Sequence, residues 1–265
     1  MNGLPQFYLI LLMPNRMIKE LKKTVLFYKL RHFIKTKQER KILATSVNMY
    51  KTIVASGDLV FDVGANVGNR VEVFLKLKNK VVAIEPQAEC RRILTAKFGN
   101  KINIIPKGLG EKEEIRTMYI SPSSTISSFA VDWIDLVKQK RFKNEQWNQT
   151  EQIEITTLEN VISKFGIPAF IKIDVEGFEL EVLKGLKTPV KNISFEYTVP
   201  EQLNKVLECI EQVNTISSQY LYNYSIGEEM KLVLKEYINY NEFKKLVSLP
   251  EFSKTSNGDI YVIHQ

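Results

Sequence analysis

The fold is decided by one stretch, residues 58–68, which reads Asp58-Leu59-Val60-Phe61-Asp62-Val63-Gly64-Ala65-Asn66-Val67-Gly68. Its first half is a short apolar run, typical of a strand buried inside a parallel sheet. Gly64 then allows a sharp turn and a close backbone approach, because glycine has no Cβ. Gly68 opens a predicted helix over residues 68–78. A turn between a strand and a helix is where open α/β sheets bind ligands.

The alternation of strands and helices continues outward from this stretch. Further strands are predicted at residues 81–84, 102–105, 114–120, 170–174, 193–197 and 260–263, and further helices at residues 87–98, 178–186 and 200–213. Residues 130–150 look like an insertion, and the capping-box spacing of Thr156 and Glu159 predicts a helix ending at 165–166. The alternation predicts a Rossmann-like α/β fold with a mostly parallel, seven-stranded sheet and helices on both faces.

The positive charge is concentrated at the N-terminus. Residues 1–56 carry 11 Lys and Arg against 2 acids (+9), which leaves 26 basic and 28 acidic residues (−2) of the total 37 and 30 for residues 57–265. We therefore predict a basic N-terminal helical arm over 1–56 and one α/β domain over 57–265. The apolar run at residues 7–13 is too short to span a bilayer. Residues 16–37 read as a basic helix that packs on the core, with contact to an anionic membrane as the alternative.

The cysteines and histidines do not form a metal-binding pattern. Cys90 and Cys209 lie far apart, and the two histidines, His32 and His264, are near neither of them. Zinc sites need several such ligands at short, regular spacings. The two cysteines are therefore predicted to be reduced core thiols. This fits a cytoplasmic protein, which associates peripherally with a membrane if the basic helix binds one.

Acidic residues at the ends of the first two strands point to an adenosine-containing ligand with an amino-acid group. Asp62 can accept a hydrogen bond from an ammonium group, and the helix after Gly68 can bind a carboxylate through its free N–H groups. Glu85, 23 residues after Asp62, can accept both hydroxyls of a ribose. Gly108 and Leu109 lie at a natural edge for the adenine ring. The loop lacks the GxGxxG spacing, which disfavours an NAD-dependent oxidoreductase.

Three further acids are expected at the same edge of the sheet. Asp174 ends a strand, Glu176 follows in the next turn, and Glu196 lies near the end of the next strand. Such carboxylates can take a proton from an attacking hydroxyl. We predict Asp174 as the base or acceptor-orienting group, supported by Glu176 and Glu196. The alternative for Asp174 or Glu176 is capping of the following helix. A divalent cation is the less favoured interpretation, because no histidine assists, and no metal is predicted.

Taken together, these motifs resemble the FkbM-type methyltransferase family. The matching segments are residues 60–68, 84–86, 157–158 and 171–177, with Glu179 and residues 182–185 behind them. The resemblance implies a class I methyltransferase fold and S-adenosylmethionine as the donor, with cofactor contacts from Asp62, Gly64, Asn66, Gly68 and Glu85. It also implies O-methylation of a hydroxyl on a saccharide or another natural product.

Two other functions remain open from the sequence alone. One is methylation of RNA or another nucleic acid, but Asp174 is followed by Val-Glu-Gly rather than by the proline-rich run of enzymes that methylate exocyclic amines. No nucleic-acid partner is therefore expected. The other is a non-catalytic scaffold that retains the fold, which the intact candidate residues Asp62, Gly64, Glu85 and Asp174 argue against.

Overall fold

The computed structural model describes residues 35–122, 126–143 and 145–265. The predicted basic helix over residues 16–37, with its membrane-contact alternative, lies almost entirely outside the described residues. In chain order, the helices are α1 (Lys37–Tyr50), α2 (Asn69–Lys76), α3 (Ala88–Phe98), α4 (Val131–Lys140), α5 (Leu158–Phe165), α6 (Glu179–Lys184), α7 (Leu203–Ile216), α8 (Tyr240–Val247) and α9 (Pro250–Ser253). The strands are β1 (Leu59–Val63), β2 (Lys80–Ile84), β3 (Ile102–Ile105), β4 (Gly108–Leu109), β5 (Glu114–Ile120), β6 (Gln149–Thr156), β7 (Phe170–Ile173), β8 (Asn192–Thr198), β9 (Tyr220–Tyr224), β10 (Ile238–Asn239) and β11 (Asn257–His264).

The main sheet has the order β10-β9-β11-β8-β7-β1-β2-β3. Neighbouring strands from β8 to β3 pair in parallel, whereas β11 is antiparallel to both β8 and β9. The predicted Rossmann-like, mostly parallel fold is confirmed. Within the described residues this sheet has eight strands rather than seven, because β9 and β10, which were not predicted, join it, whereas the predicted strand at residues 114–120 lies in a second sheet. The second sheet, of order β4-β6-β5, lies apart from the first.

Helices cover both faces of the main sheet. Side chains alternate across a strand, so Val60 of β1 packs with residues of α1, α2 and α3, whereas Phe61 packs with residues of α4, α5, α6 and α7. The two cysteines are buried within α3 and α7 and form no disulfide with each other, as expected of reduced core thiols. Among the described residues, none of the helices combines the length and the apolar character needed to cross a membrane.

Helix α1 belongs to the predicted basic arm and packs on the face of the sheet that α2 also covers. Its last residue, Tyr50, is completely buried, and its ring centroid lies 5.0 Å from that of Phe74 and 5.6 Å from that of Phe170. Thr36 begins the helix in a capping box with Glu39. The domain boundary between residues 56 and 57 stays a prediction.

Helix α5 begins one residue later than the predicted capping box implies. The capping residue is Thr157, whose hydroxyl accepts from the amide N–H of Asn160. Glu159 instead accepts hydrogen bonds from the amides of Lys187 and Thr188. The residue thus ties the start of α5 to the loop after α6.

Candidate active site

One cavity of about 560 Å³ opens where β1, β2, β7 and β8 end. Apart from Gly68, it is lined by every residue predicted for the site: Asp62, Gly64, Asn66, Glu85, Gly108, Leu109, Asp174, Glu176 and Glu196. The carboxyl ends of parallel strands meet at one edge of a sheet, which brings together acids that are more than a hundred residues apart in sequence.

The two glycines of the first loop have different roles. Gly64 has a φ of +78°, and a Cβ there would lie 1.8 Å from the carbonyl oxygen of Asp174. Gly64 therefore allows the loop after β1 to touch the end of β7. Gly68 has a φ of +82°, and a Cβ there would lie 2.4 Å from the ring of Phe98. Gly68 thus lets α2 pack against α3, and it does not line the cavity.

Glu85 is fixed by the backbone on both sides. Its Oε2 accepts from the amide of Asn66 and its Oε1 from the amide of Gln87, each at 2.7 Å. Asn66 has a left-handed φ of +46°. Burial raises the pKa of Glu85 to about 7, although these two hydrogen bonds oppose the shift. The carboxylate is thereby held at the cavity wall, where a ribose would meet it.

Asp62 is 2% exposed, and its Oδ2 has no hydrogen-bond partner in the part of the chain that the structure describes. Burial raises its pKa to about 6, with the charge of Lys172 acting in the opposite direction. A buried carboxylate oxygen without a partner is costly. An ammonium group of a ligand would satisfy it, which is the role predicted for Asp62.

Gly108 and Leu109, predicted at the adenine edge, form the short strand β4. This strand pairs with β6 of the second sheet, Gly108 opposite Ile155 and Leu109 opposite Thr156. A Cβ at Gly108 would lie 2.6 Å from Cδ1 of Ile155. Residues of the second sheet, Gly108 and Leu109 of β4 and Met118 of β5, therefore line the cavity together with the ends of the main-sheet strands.

The three predicted catalytic acids converge. Oxygen atoms of Asp174, Glu176 and Glu196 all lie within 4.8 Å of one another. The turn that carries the first two is held from outside the cavity: Oε1 of Glu179 accepts from the amides of Val175 at 3.1 Å and Gly177 at 3.2 Å. Helix α6 has no side-chain cap, so the capping alternative for Asp174 and Glu176 is not observed.

The three acids of this cluster differ in how readily they lose their protons. Lys172 is 1% exposed, and its Nζ lies 2.7 Å from Oδ2 of Asp174 and 3.8 Å from Oδ1 of Asp259. Burial acts to raise the pKa of Asp174, but the charge and hydrogen bond of Lys172 bring it below its ordinary value. Burial and the charge of Asp174 raise the pKa of Glu176 and of Glu196 well above the ordinary value. An ionised Asp174 thus lies beside carboxyl groups that hold their protons more tightly.

Several site residues were not predicted from the sequence: Arg70, Lys172, Glu179, Glu228 and Asp259. A signal existed for Lys172, because a lysine inside the apolar run Phe170-Ile171-Lys172-Ile173 must find a buried partner. Asp259 gave no such signal. It reaches Lys172 only because β11 pairs with β8, which places Asp259 opposite Glu196.

These residues fit an S-adenosylmethionine molecule. Asp62 presents an unsatisfied acceptor for its ammonium, and the fixed carboxylate of Glu85 suits its ribose hydroxyls. The first-turn amides of α2 suit its carboxylate, because a helix N-terminus attracts anions. The turn at Gly64 leaves no side chain in the way.

The sequence also resembles a known protein family. Residues 62–224, more than half of the chain, match the family described as the methyltransferase FkbM domain. No curated protein matches the sequence.

Solved structures with a similar chain path include three methyltransferases. A precorrin-6y C5,15-methyltransferase from Geobacter metallireducens shares 10% identity, covering 88% of this chain and 93% of that chain, with a TM-score of 0.44. A ribosomal protein L11 methylase from Lactobacillus delbrueckii subsp. bulgaricus shares 9% identity over 88% and 81% of the two chains, with a TM-score of 0.42. A putative O-methyltransferase from Klebsiella pneumoniae shares 9% identity over 95% of each chain, with a TM-score of 0.40. On the match over residues 62–224, the chain belongs to the FkbM methyltransferase family and is an S-adenosylmethionine-dependent methyltransferase.

Proposed function

We propose that the methyl acceptor is a hydroxyl group of a saccharide or a similar small molecule. The observation that carries this proposal is the cluster of Asp174, Glu176 and Glu196 in the same cavity as Asp62 and Gly64. A hydroxyl has a high pKa and reacts faster when a nearby base takes its proton during the attack. S-Adenosylmethionine supplies a methyl group that its sulfonium centre activates. A base beside that centre is what O-methylation requires.

Asp174 and Glu196 have different roles in this proposal. Lys172 keeps Asp174 ionised, which makes Asp174 a weak base. Its carboxylate can still accept a hydrogen bond from the hydroxyl and so orient it. Glu196 has a raised pKa, which makes its ionised form the stronger base. We therefore assign orientation to Asp174 and proton acceptance to Glu196, with Glu176 as a further carboxyl group beside them that holds its proton more tightly than usual.

The charge of the cavity favours an uncharged acceptor. Its lining includes eight acids and three basic residues: Glu39, Asp62, Glu72, Glu85, Asp174, Glu176, Glu196 and Glu228 against Lys35, Arg70 and Lys172. Nucleic-acid binding depends on Lys and Arg that neutralise phosphates. A phosphorylated acceptor or a nucleic acid would be repelled here, whereas a neutral sugar would not.

A methyl-transfer screen with the full chain tests this proposal. Labelled S-adenosylmethionine would be incubated with neutral oligosaccharides, lipid-linked glycans, sugar phosphates, RNA and DNA, and the products read by mass spectrometry. We expect a methyl ether on a neutral glycan and loss of the product in Glu196→Gln. Transfer to RNA or DNA alone, or to an amine nitrogen, would contradict the proposal.

A further inference from the structure

The wall of the cavity at the start of α2 carries an arginine. Arg70 is the second residue of this helix, lines the cavity, and has a side chain that is only 16% exposed. One guanidinium nitrogen lies 2.6 Å from Oε2 of Glu228, whose side chain is 78% exposed. An ion pair with so exposed an acid contributes little to stability. The guanidinium can therefore exchange this partner at low cost.

A cation in the first turn of a helix is unfavourable by itself. The N-terminal end of a helix carries a partial positive charge, which repels a nearby guanidinium. Here the N-cap is Gly68, which provides no side-chain acceptor, and the amide of Val71, the third residue of the helix, donates to Asp62 instead. An anion between Arg70 and the amides before Val71 would offset both positive charges.

A second observation places an opposite charge in the same cavity. Asp62 also lines the cavity and is 2% exposed. Its Oδ2 has no hydrogen-bond partner in the described part of the chain. The sequence joins the two residues through the turn at Gly64 and the first residues of α2. A buried acid and a buried base with a cavity in common suit a ligand that carries both charges, such as an α-amino acid.

The other basic residues that line the cavity have acidic partners within the protein. Lys35 lies 2.7 Å from Glu72, and the buried Lys172 contacts Asp174 and Asp259. Arg70 differs because the acid that it contacts directly, Glu228, is largely in solvent, although the charges of the buried Asp62 and Asp259 also act on it. It also offers two parallel N–H groups, which match the two oxygens of a carboxylate.

We propose that Arg70 binds the carboxylate of the methionine group of S-adenosylmethionine, while Asp62 accepts a hydrogen bond from its ammonium. Arg70 would give up Glu228 when the donor binds. The residue is thus a donor-binding residue that recognises the amino-acid end rather than the adenosine end. It takes no part in the proton transfer proposed for Glu196.

Two ligands that differ only in the amino-acid group test this assignment. S-Adenosylhomocysteine carries the group, whereas 5′-methylthioadenosine has the same adenosine and thioether without it. Calorimetry on the full chain would give both dissociation constants for the wild type, Arg70→Ala, Arg70→Lys and Glu228→Gln. We expect Arg70→Ala to raise the constant for S-adenosylhomocysteine about ten- to hundredfold, and that for 5′-methylthioadenosine by less than about twofold.

The other two variants serve as controls. Arg70→Lys keeps the positive charge but lacks the planar guanidinium group. We therefore expect a loss of affinity for S-adenosylhomocysteine that is smaller than in Arg70→Ala, and no loss of affinity for 5′-methylthioadenosine. Glu228→Gln removes the competing acid, so S-adenosylhomocysteine should bind equally well or more tightly. An equal loss for both ligands in Arg70→Ala and Arg70→Lys would overturn the proposal, because Arg70 would then only support the fold. No loss in either variant would also overturn it, since the helix amides alone would then hold the carboxylate.

Discussion

The ammonium group of Lys172 lies 2.7 Å from Oδ2 of Asp174, and the lysine is buried on the face of the sheet that α1 and α2 cover. The same ammonium is 3.8 Å from Asp259. Lys172 therefore compensates two acids, one directly after β7 and one in β11, and the charge of Arg70 acts on both as well. Its loss would affect both the packing of the sheet and the charge of the active site.

Replacing Lys172 with Met should lower the free energy of unfolding by about 3 kcal/mol or more, because it leaves buried acids without a counter-charge. Urea denaturation would measure this change. Adding Asp259→Asn should restore part of the loss, since it removes one of the uncompensated charges. Lys244→Met is a matched control, because its partner Glu211 lies 3.7 Å away in an exposed pair. Equal stabilities for Lys172→Met and Lys244→Met would refute the role given to Lys172.

The rate of methyl transfer should increase with pH through the raised pKa of Glu196. Burial and the charge of Asp174 raise that pKa, and the base must lose its proton before it can accept another. Glu196→Gln should lower turnover about a hundredfold and remove this pH dependence. Asp174→Asn should lower turnover but move the rise to lower pH, because the charge that raises the pKa of Glu196 is gone. Profiles of kcat against pH with the acceptor found by the screen would test this, and an unchanged profile in Glu196→Gln would exclude it as the base.

Donor binding should release a proton from Asp62. Burial raises the pKa of this acid to about 6, and the ammonium of the donor favours the ionised form. Affinity for S-adenosylhomocysteine should therefore increase from about pH 5 to about pH 7 and then level off. Calorimetry in buffers with different ionisation enthalpies counts the protons released. Asp62→Asn should bind more weakly and release fewer protons. Proton uptake on binding would contradict the prediction.

Gly64→Ala should disrupt the site more than another glycine substitution at a similar backbone angle. Its Cβ would meet the carbonyl oxygen of Asp174 at 1.8 Å, so the end of β7 must move. We expect a loss of about 2 to 4 kcal/mol in stability together with loss of S-adenosylhomocysteine binding. Gly57→Ala is the matched control, because Gly57 has a φ of +90° but open space around the added Cβ. Similar effects of the two substitutions would show that backbone angle alone is responsible.

The sequence predicted the parts of the site that depend on local pattern. The apolar run before Gly64 gave β1, and Glu85 was found because it ends the next apolar strand. The position of Asp174 and Glu196 followed in the same way. In each case the residues concerned lie next to the pattern that predicts them.

Contacts between residues that are far apart in the chain could not be predicted from the sequence. Asp259 meets Lys172 through strand order, and Arg70 faces Glu228, which lies 158 residues further along the chain. The strand β9, Tyr220–Tyr224, is absent from the predicted strands although its alternating tyrosines are typical of a strand. No local rule states which distant segment will cover a given face, so such contacts require the structure.

Helix α1 precedes the region of family likeness, yet Ile42, Leu43 and Ser46 form part of the cavity wall. A fragment that contains only the matched region, or only residues 57–265, would lack α1, and the cavity would be open to solvent where α1 now lines it. Water would then reach the buried carboxylates, and their unusual acidities would relax toward those of free amino acids. We therefore expect the smallest active fragment to include α1, a segment whose sequence, read alone, suggests only a charged appendage.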